Sequence, residues 1–542
     1  MRIEDVNAFQ SVYGFIRDSK ATHSARKAMI YCGRTIDFPA FFSLIEKART
    51  ALRSFGLKKG DVITLQLPNI PQNVIIFYAA AAENLVLDII HPLTPLRQTA
   101  ESMKETGSRF LVTSDNVLLR GDEKFFASDV KIAFCRISAY AKGLKKLVIR
   151  FKTGGTKLLG GFIDFDRLIS VSEECGDEDR GSDDVPCCIL HSGGTTAQPK
   201  KIVLSHHALN CMIQRRRYIV SGTDLSDKVC LSVLPSFHGF GLCMNVHASS
   251  ALGMTQLIMP KFRSREAVRL IKKYKAFMLS GVPAIFYGLM KVRSFDPRHA
   301  GSLKRCFVGG DNVSDALVRR FNKCVTGSED ERVMFQGYGM TECVAVCALN
   351  VPDGYREGTV GRAIPGVDVE VVRDGKIMPR GTEGELCVAG NILMNGYFKD
   401  EEGTANAEVF VDGKRFIRSG DWGSVDEDGF VRFKQRIKHV IMRKGVNVFP
   451  AEVENVIGSL PYVEKCCVVG KIKGNENTQT VYAYVKLRDK NLRTEETKEE
   501  IKKYAAKHLI RYAVPETVIF TATFPRTPVG KIDTKYFENR ND

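Results

Sequence analysis

No apolar run in the 542-residue chain is long enough to cross a bilayer. The longest, around residues 74–82, is less than half of the roughly 20 residues a spanning helix needs. Residues 1–19 carry Arg2, Glu4, Asp5, Arg17 and Asp18 and no apolar core, so no secretory leader is expected. The 15 cysteines include no Cys-x-x-Cys pair, and no His/Cys cluster has the spacing of zinc ligands. Cys187-Cys188 and Cys466-Cys467 stand inside β-like apolar runs, which points to buried, reduced thiols in a cytoplasmic protein. Internal repeats, low-complexity tracts and recognisable nucleic-acid-binding modules are also missing, so no nucleic-acid partner is expected.

What the chain does have is an ordinary globular composition, 44% hydrophobic and 26% charged, with a formal net charge of +17. Part of that excess is local. Residues 130–163 hold eight Lys or Arg and no Asp or Glu, interleaved with Phe134, Tyr140, Leu144, Leu147, Val148, Ile149 and Phe151. Such a stretch suits peripheral contact with an anionic membrane through Lys142, Lys145, Lys146, Arg150 and Lys152. The solvated basic face of an ordinary subdomain is the plainer reading of the same stretch.

Hydrophobic patterning predicts strands alternating with helices. Strands are expected over 28–32, 62–67, 86–90, 110–112 and 131–135, a helix begun by Asp37, and a buried helix over 71–85. Further strands end in Gly-containing polar loops at Pro235-Ser236-Phe237-His238-Gly239-Phe240-Gly241, Gly309-Gly310-Asp311 and Gly337-Tyr338-Gly339. This is an α/β pattern with parallel sheets, whose ligands sit at the carboxyl ends of strands. From residue 358 to 434 short strands and Gly/Pro/Asp turns dominate, and a smaller α/β segment follows a boundary at Lys438.

The stretch that organises the chain runs from His191 through Ser192-Gly193-Gly194-Thr195-Thr196-Ala197-Gln198-Pro199-Lys200-Lys201 to Ser205, after an apolar strand at 185–190. Glycines let backbone N–H groups approach an anion, and hydroxyls and lysine add donors and charge. The chemistry suggested is phosphate or pyrophosphate binding. A tight hairpin is the plainer reading of Gly-Gly-Thr-Thr alone. The Walker A spacing is absent.

The full string resembles the phosphate loop of the adenylate-forming superfamily, which includes acyl-CoA synthetases, peptide-synthetase adenylation domains and luciferases. It departs from that pattern at Gly193, Ala197 and Lys201. Five further segments follow in the superfamily's order. They are Leu234-Pro235-Ser236-Phe237-His238, Gln336 to Glu342, Ser419-Gly420-Asp421, then Arg436-Ile437-Lys438 with Lys444-Gly445 and Pro450-Ala451-Glu452, and finally Pro525 to Ile532. The resemblance covers about residues 25–535. It implies a large N-terminal AMP-binding domain, 1–437, of two α/β subdomains plus a β-rich one, and a small mobile C-terminal α+β domain, 438–542.

It also implies a reaction. ATP and a carboxylic acid give an acyl-adenylate and pyrophosphate, and a thiol then takes the acyl group. Cations and N–H donors are needed because two anions must meet. By this resemblance Thr195 and Thr196 hold the β- and γ-phosphates, with Ser192, Gly193, Gly194 and Lys200 around them. Glu342 and the Thr195 hydroxyl share magnesium. Tyr338 stacks on adenine with Asp311 near the base, Gly310, Gly339 and Thr341 standing in the same segments. Asp421 accepts the ribose hydroxyls and Arg436 touches ribose or phosphate. Lys531 bridges the substrate carboxylate and the α-phosphate in the first half-reaction. Lys438 is the hinge, and the Lys444-Gly445 face serves the second. The usual glycine before Arg436 is Gln435 here.

His238 is read either as a core histidine or, by the resemblance, as the gate of the acid pocket. Amino-acid-activating relatives place an Asp in this region, and none occurs between Lys228 and Phe262, which disfavours an amino-acid substrate. The leading expectation is an acyl-CoA synthetase for a fatty or other apolar acid, using ATP, Mg2+ and coenzyme A. An acyl carrier protein is the alternative acceptor, and a non-catalytic binding descendant the remaining alternative.

Overall fold

The computed structural model describes residues 7–19, 25–118, 125–152, 161–176, 185–192, 199–443, 446–472, 479–525 and 532–540. The chain packs into two compact units. The first comprises Met1–Glu357, Gly361–Asp368 and Val388–Ile417, and the second Gly358–Val360, Val369–Cys387 and Arg418–Asp542. The mixed α/β class expected from the alternation of strands and helices is observed.

The first unit contains two sheets. In the nine-stranded sheet, strands Lys27–Tyr31, Thr255–Ile258, Val229–Ser232, Met278–Gly281, Arg305–Val308 and Met334–Tyr338 run parallel. Antiparallel strands close its two edges. In the eight-stranded sheet, Pro186–His191, Val86–Ile89, Val62–Gln66, Phe110–Ser114, Lys131–Cys135 and Ile163–Asp164 are parallel. Helices bury both faces, and accordingly Val86–Ile89 and Phe110–Ser114 are buried at every position.

Local chemistry sets the element ends. Asp37 caps helix Phe38–Arg53, its Oδ1 accepting the Ala40 N–H at 2.8 Å. Helix Pro71–Ala82 is buried along its whole length: residues 74–82 are apolar, and the buried Gln72 and Asn73 side chains are hydrogen-bonded, Gln72 to Asp166 Oδ1 at 2.9 Å and Asn73 to the Leu67 carbonyl at 3.2 Å. It stops three residues short of the sequence expectation because Asn84 takes a left-handed conformation, φ 54°, that ends the helix.

In the second unit, Val431–Arg436 pairs antiparallel with residues 421–425, setting Asp421 opposite Arg436. After the turn Ile437–His439, which carries Lys438, comes a three-stranded sheet of Val463–Ile472, Gln479–Leu487 and Thr517–Phe520. Helices Pro450–Gly458 and Glu495–His508 lie against it, and Val453, Ile457, Val468, Val485 and Ile501 share one core. The stretch expected to be β-rich is so, apart from the short helix Glu401–Ala407.

Candidate active site

The stem of the phosphate-loop motif is a hairpin. Strands Pro186–His191 and Lys201–Ser205 pair antiparallel, with His191 opposite Lys201. The Ser192 N–H donates to the Lys200 carbonyl at 2.9 Å, and the Lys200 N–H donates to Ser192 Oγ at 2.9 Å. The hairpin expected from Gly-Gly-Thr-Thr is therefore present at the stem. Gly193, Gly194, Thr195 and Thr196 fall outside the described residues, as do Lys444, Gly445 and Lys531.

Lys201, which replaces a family glycine, is not among the described non-glycine residues with positive φ, so the replacement carries no backbone strain there. Its amine pairs with Glu105. In the stem, His191 Nε2 lies 2.6 Å from Oδ1 of Asp88, whose side chain is fully buried.

Glu342 sits in the tight turn Thr341–Cys343, reached directly from strand Met334–Tyr338. That turn is packed too closely for side chains around it. A Cβ on Gly339 would stand 1.8 Å from the Ala345 carbonyl oxygen, and a Cβ on Gly239 1.8 Å from that of Val344. Val344 itself holds φ at 62°, a strained value for a β-branched residue. The Gly-Tyr-Gly and Phe-His-Gly segments, a hundred residues apart, are thus pressed onto one turn because each supplies a glycine at the contact.

The turn is tied to the loop stem through Tyr397, which sequence reasoning missed. Its hydroxyl donates to Glu342 Oε1 at 3.0 Å, and the Met394 N–H donates to the Glu342 carbonyl at 2.7 Å. Tyr397 lies on the edge strand Gly396–Tyr397, opposite Ile202 of the stem. The Lys200 ammonium stands 4.1 Å from its ring centroid. Burial first, and the Glu342 charge second, hold the Tyr397 hydroxyl above the ordinary tyrosine range, so it remains a proton donor. The only sequence signal was an aromatic residue in the Asn-Gly-Tyr turn.

His238 is half-buried beside Phe237, ring centroids 4.6 Å apart, and Phe237 packs on His91 at 4.3 Å. Burial lowers the His91 pKa, which keeps the ring neutral and suits an apolar surrounding. His91 too was not foreseen. The strand ends carrying Gly309-Gly310-Asp311 and Tyr338-Gly339 are neighbours in the parallel sheet, and a Cβ on Gly309 would stand 2.8 Å from the Gly337 carbonyl oxygen. Asp311 is exposed and Tyr338 is buried.

The second unit holds its own cluster. Asp421 is buried, and Arg436 Nε lies 3.0 Å from its Oδ1. Ser419 Oγ accepts the Asp421 N–H at 3.0 Å and donates to the Leu386 carbonyl at 2.6 Å. Gln435, replacing the family glycine, is buried and accepts the Ala451 N–H at 3.4 Å. Lys438 is exposed.

Among the described residues no group of three or more His, Cys, Asp or Glu side chains could cage a metal ion. A single oxygen ligand from Glu342 nevertheless fits magnesium, which takes few carboxylates and keeps phosphate oxygens and water.

A family model described as AMP-binding enzyme matches residues 16–398. The chain belongs to the AMP-binding enzyme family. A second model, the AMP-binding enzyme C-terminal domain, matches residues 452–531. Among curated relatives, a long-chain-fatty-acid–CoA ligase of Haemophilus influenzae is 26% identical over 560 residues, covering 97% of this chain and 94% of the relative. A 4-coumarate–CoA ligase of Pinus taeda is 28% identical over 525 residues, covering 94% and 90%. The crystal structure of ATP-bound MatB from Rhodopseudomonas palustris shares the AMP-binding enzyme fold at TM-score 0.83, with 23% identity over 98% of both chains.

Proposed function

We propose that the protein is an AMP-forming acid–thiol ligase that activates a carboxylic acid with ATP and transfers the acyl group to the thiol of coenzyme A. In the first step a carboxylate oxygen attacks the α-phosphorus and the bond to the bridging oxygen breaks, releasing pyrophosphate. In the second, the coenzyme A thiol loses its proton and its sulfur attacks the acyl carbonyl, and AMP leaves. The observation that carries this reading is the convergence of Glu342, Tyr397 and Lys200 at the stem of the 192–200 loop. It puts a lone carboxylate, a donor and a cation at the base of a loop rich in phosphate-binding residue types.

The residue roles are part of the proposal. Lys200, Ser192, Thr195 and Thr196 hold the triphosphate, with the backbone of Gly193 and Gly194. Tyr397 orients Glu342, which with the Thr195 hydroxyl would hold magnesium; such an ion would supply charge that offsets the transferring phosphates. Tyr338, Asp311 and the Gly310, Gly339 and Thr341 backbone surround adenine, and Asp421 and Arg436 engage ribose. Lys531 neutralises the reacting oxygens in the first step. Lys438 is the hinge between half-reactions, which exchange Lys531 for the Lys444-Gly445 face.

His238 and Phe237 border the acid pocket. Their aromatic, neutral surroundings and the lack of Asp over 228–262 support a fatty or other apolar acid. The names of the curated relatives support acids of that kind. A carrier-protein pantetheine is the alternative acceptor. No described helix is long and apolar enough to cross a membrane, and the cation-rich stretch 130–163 supports peripheral contact of a cytoplasmic enzyme with anionic lipid. Pyrophosphate release over a panel of carboxylic acids, with and without coenzyme A, tests the reading.

A further inference from the structure

The middle of the cation-rich stretch forms helix Gly143–Lys152, and four of the apolar residues on this helix do not face the protein. At the 100° per residue of an α-helix, Leu144, Leu147, Val148 and Phe151 fall in one sector of about 100°. All four are exposed, at 76%, 62%, 44% and 89%. Lys145 and Ile149 are the more covered positions, and the Lys145 ammonium is turned to Glu266 at 3.5 Å. A sequence that interleaves apolar and basic residues has therefore been wound so that its apolar stripe points outward. Lys146 and Arg150 are exposed on one side of the stripe, and Lys142 is exposed just before the helix.

We propose that this helix is a membrane-insertion element, seating Leu144, Leu147, Val148 and Phe151 among the acyl chains of an anionic bilayer while Lys142, Lys146 and Arg150 remain at the lipid headgroups. The inference rests on the peripheral-contact reading above and changes its physics. Contact is made by apolar burial as well as by charge, and Lys145 is not one of the contacts.

The occupant follows from charge complementarity. A second copy meeting this face through the same stripe would bring two sets of Lys142, Lys146 and Arg150 together, which like charges oppose. A bilayer bearing anionic lipid accepts both features at once, as in-plane amphipathic helices do. Removing one buried Leu or Phe side chain from such a contact weakens it by about tenfold or more.

The test is vesicle sedimentation of the full chain, using phosphatidylcholine with or without 30% phosphatidylglycerol (a proportion of about this size is chosen to mimic an anionic leaflet), at low and high salt. The wild-type protein should prefer anionic vesicles and retain measurable binding at high salt. Leu144→Ser with Phe151→Ser should lower partitioning by about 100-fold or more, and Lys146→Gln with Arg150→Gln should remove the preference for anionic lipid. Pyrophosphate release on a water-soluble short acid should be unchanged in both variants, which also shows that they are folded. Phe151→Trp should shift its emission to the blue on vesicles, measured against the wild type with Trp422 alone. Binding that the serine pair leaves intact overturns insertion but keeps electrostatic contact. No binding to anionic vesicles overturns both. A dimer that the serine pair dissociates assigns the stripe to a second copy and overturns the proposal.

Discussion

The Tyr397 hydroxyl donates a hydrogen bond to Glu342 Oε1 at 3.0 Å, joining residues 55 positions apart. The same ring lies under the Lys200 ammonium. One aromatic side chain thereby touches both Glu342, the carboxylate proposed to hold magnesium, and Lys200, the cation at the stem of the 192–200 loop.

The first prediction concerns that bond. Tyr397→Phe keeps the ring under Lys200 and frees Glu342 to rotate. The magnesium concentration for half-maximal rate should rise about fivefold, the equivalent of roughly 1 kcal/mol for one hydrogen bond. Glu342→Gln, which removes the ligand charge, should raise it further with the fold intact by circular dichroism. A magnesium requirement unchanged in both variants would reject the metal role.

Lys531→Ala should separate the two half-reactions. Acyl-adenylate formation should fall at least 10- to 100-fold, the scale of a charge-assisted contact of roughly 1.5–3 kcal/mol. Thioester formation from supplied acyl-adenylate should be largely spared. Equal losses in both steps would remove Lys531 from the adenylation chemistry.

Asp421→Asn should act on the nucleotide alone. The buried Asp421 carboxylate faces Arg436 at 3.0 Å, and an amide would keep its shape while removing its charge. The KM for ATP should rise by roughly tenfold or more, with the KM for the acid unchanged. An acid KM that moves equally would place Asp421 elsewhere in the mechanism.

Acid stability carries a signature of His247. This ring is fully buried between the Tyr78 hydroxyl, 3.2 Å from Nδ1, and Asn210 Oδ1, 3.0 Å from Nε2, and burial lowers its pKa from 6.5 to about 3, with His206 as a second, repulsive neighbour. Between those values the unfolded chain binds the proton and the folded chain does not. Its contribution is therefore present above pH 6.5 and is lost as pH falls toward 3, by up to ~1.4 kcal/mol per pH unit. Asp166 works the other way. Burial raises its pKa from 3.8 to about 6, so its contribution is lost as pH rises across that range. Relative to wild type, His247→Asn should gain urea-unfolding stability as pH falls from 6.5 to 5, because it lacks the loss that His247 contributes there. Parallel curves would show that the ring titrates normally.

How far the sequence could be read depended on the range of the interactions involved. Asp37 as a helix cap and the strands flanking Gly193-Gly194 were legible because capping and alternation act over a few residues. The end of helix Pro71–Ala82 was misplaced because Asn84, not an apolar break, stops it. Tyr397 and the His191–Asp88 pair were invisible because each depends on a partner brought up by sheet order, 55 and 103 residues away. Helix Gly143–Lys152 shows a different loss. Its composition announced basic and apolar residues, but only the fold decides which side meets the protein and which is left exposed.

The most direct test of the central claim is pyrophosphate release by the purified protein over a panel of carboxylic acids from acetate to long-chain fatty and aromatic acids, with magnesium-ATP, in the presence and absence of coenzyme A. The account predicts release that depends on an apolar acid, with AMP formed in equal amount and an acyl-CoA thioester appearing only when coenzyme A is added. ATP bound without any acid-dependent pyrophosphate release, across the whole panel, would contradict it and leave a binding protein built on the same fold.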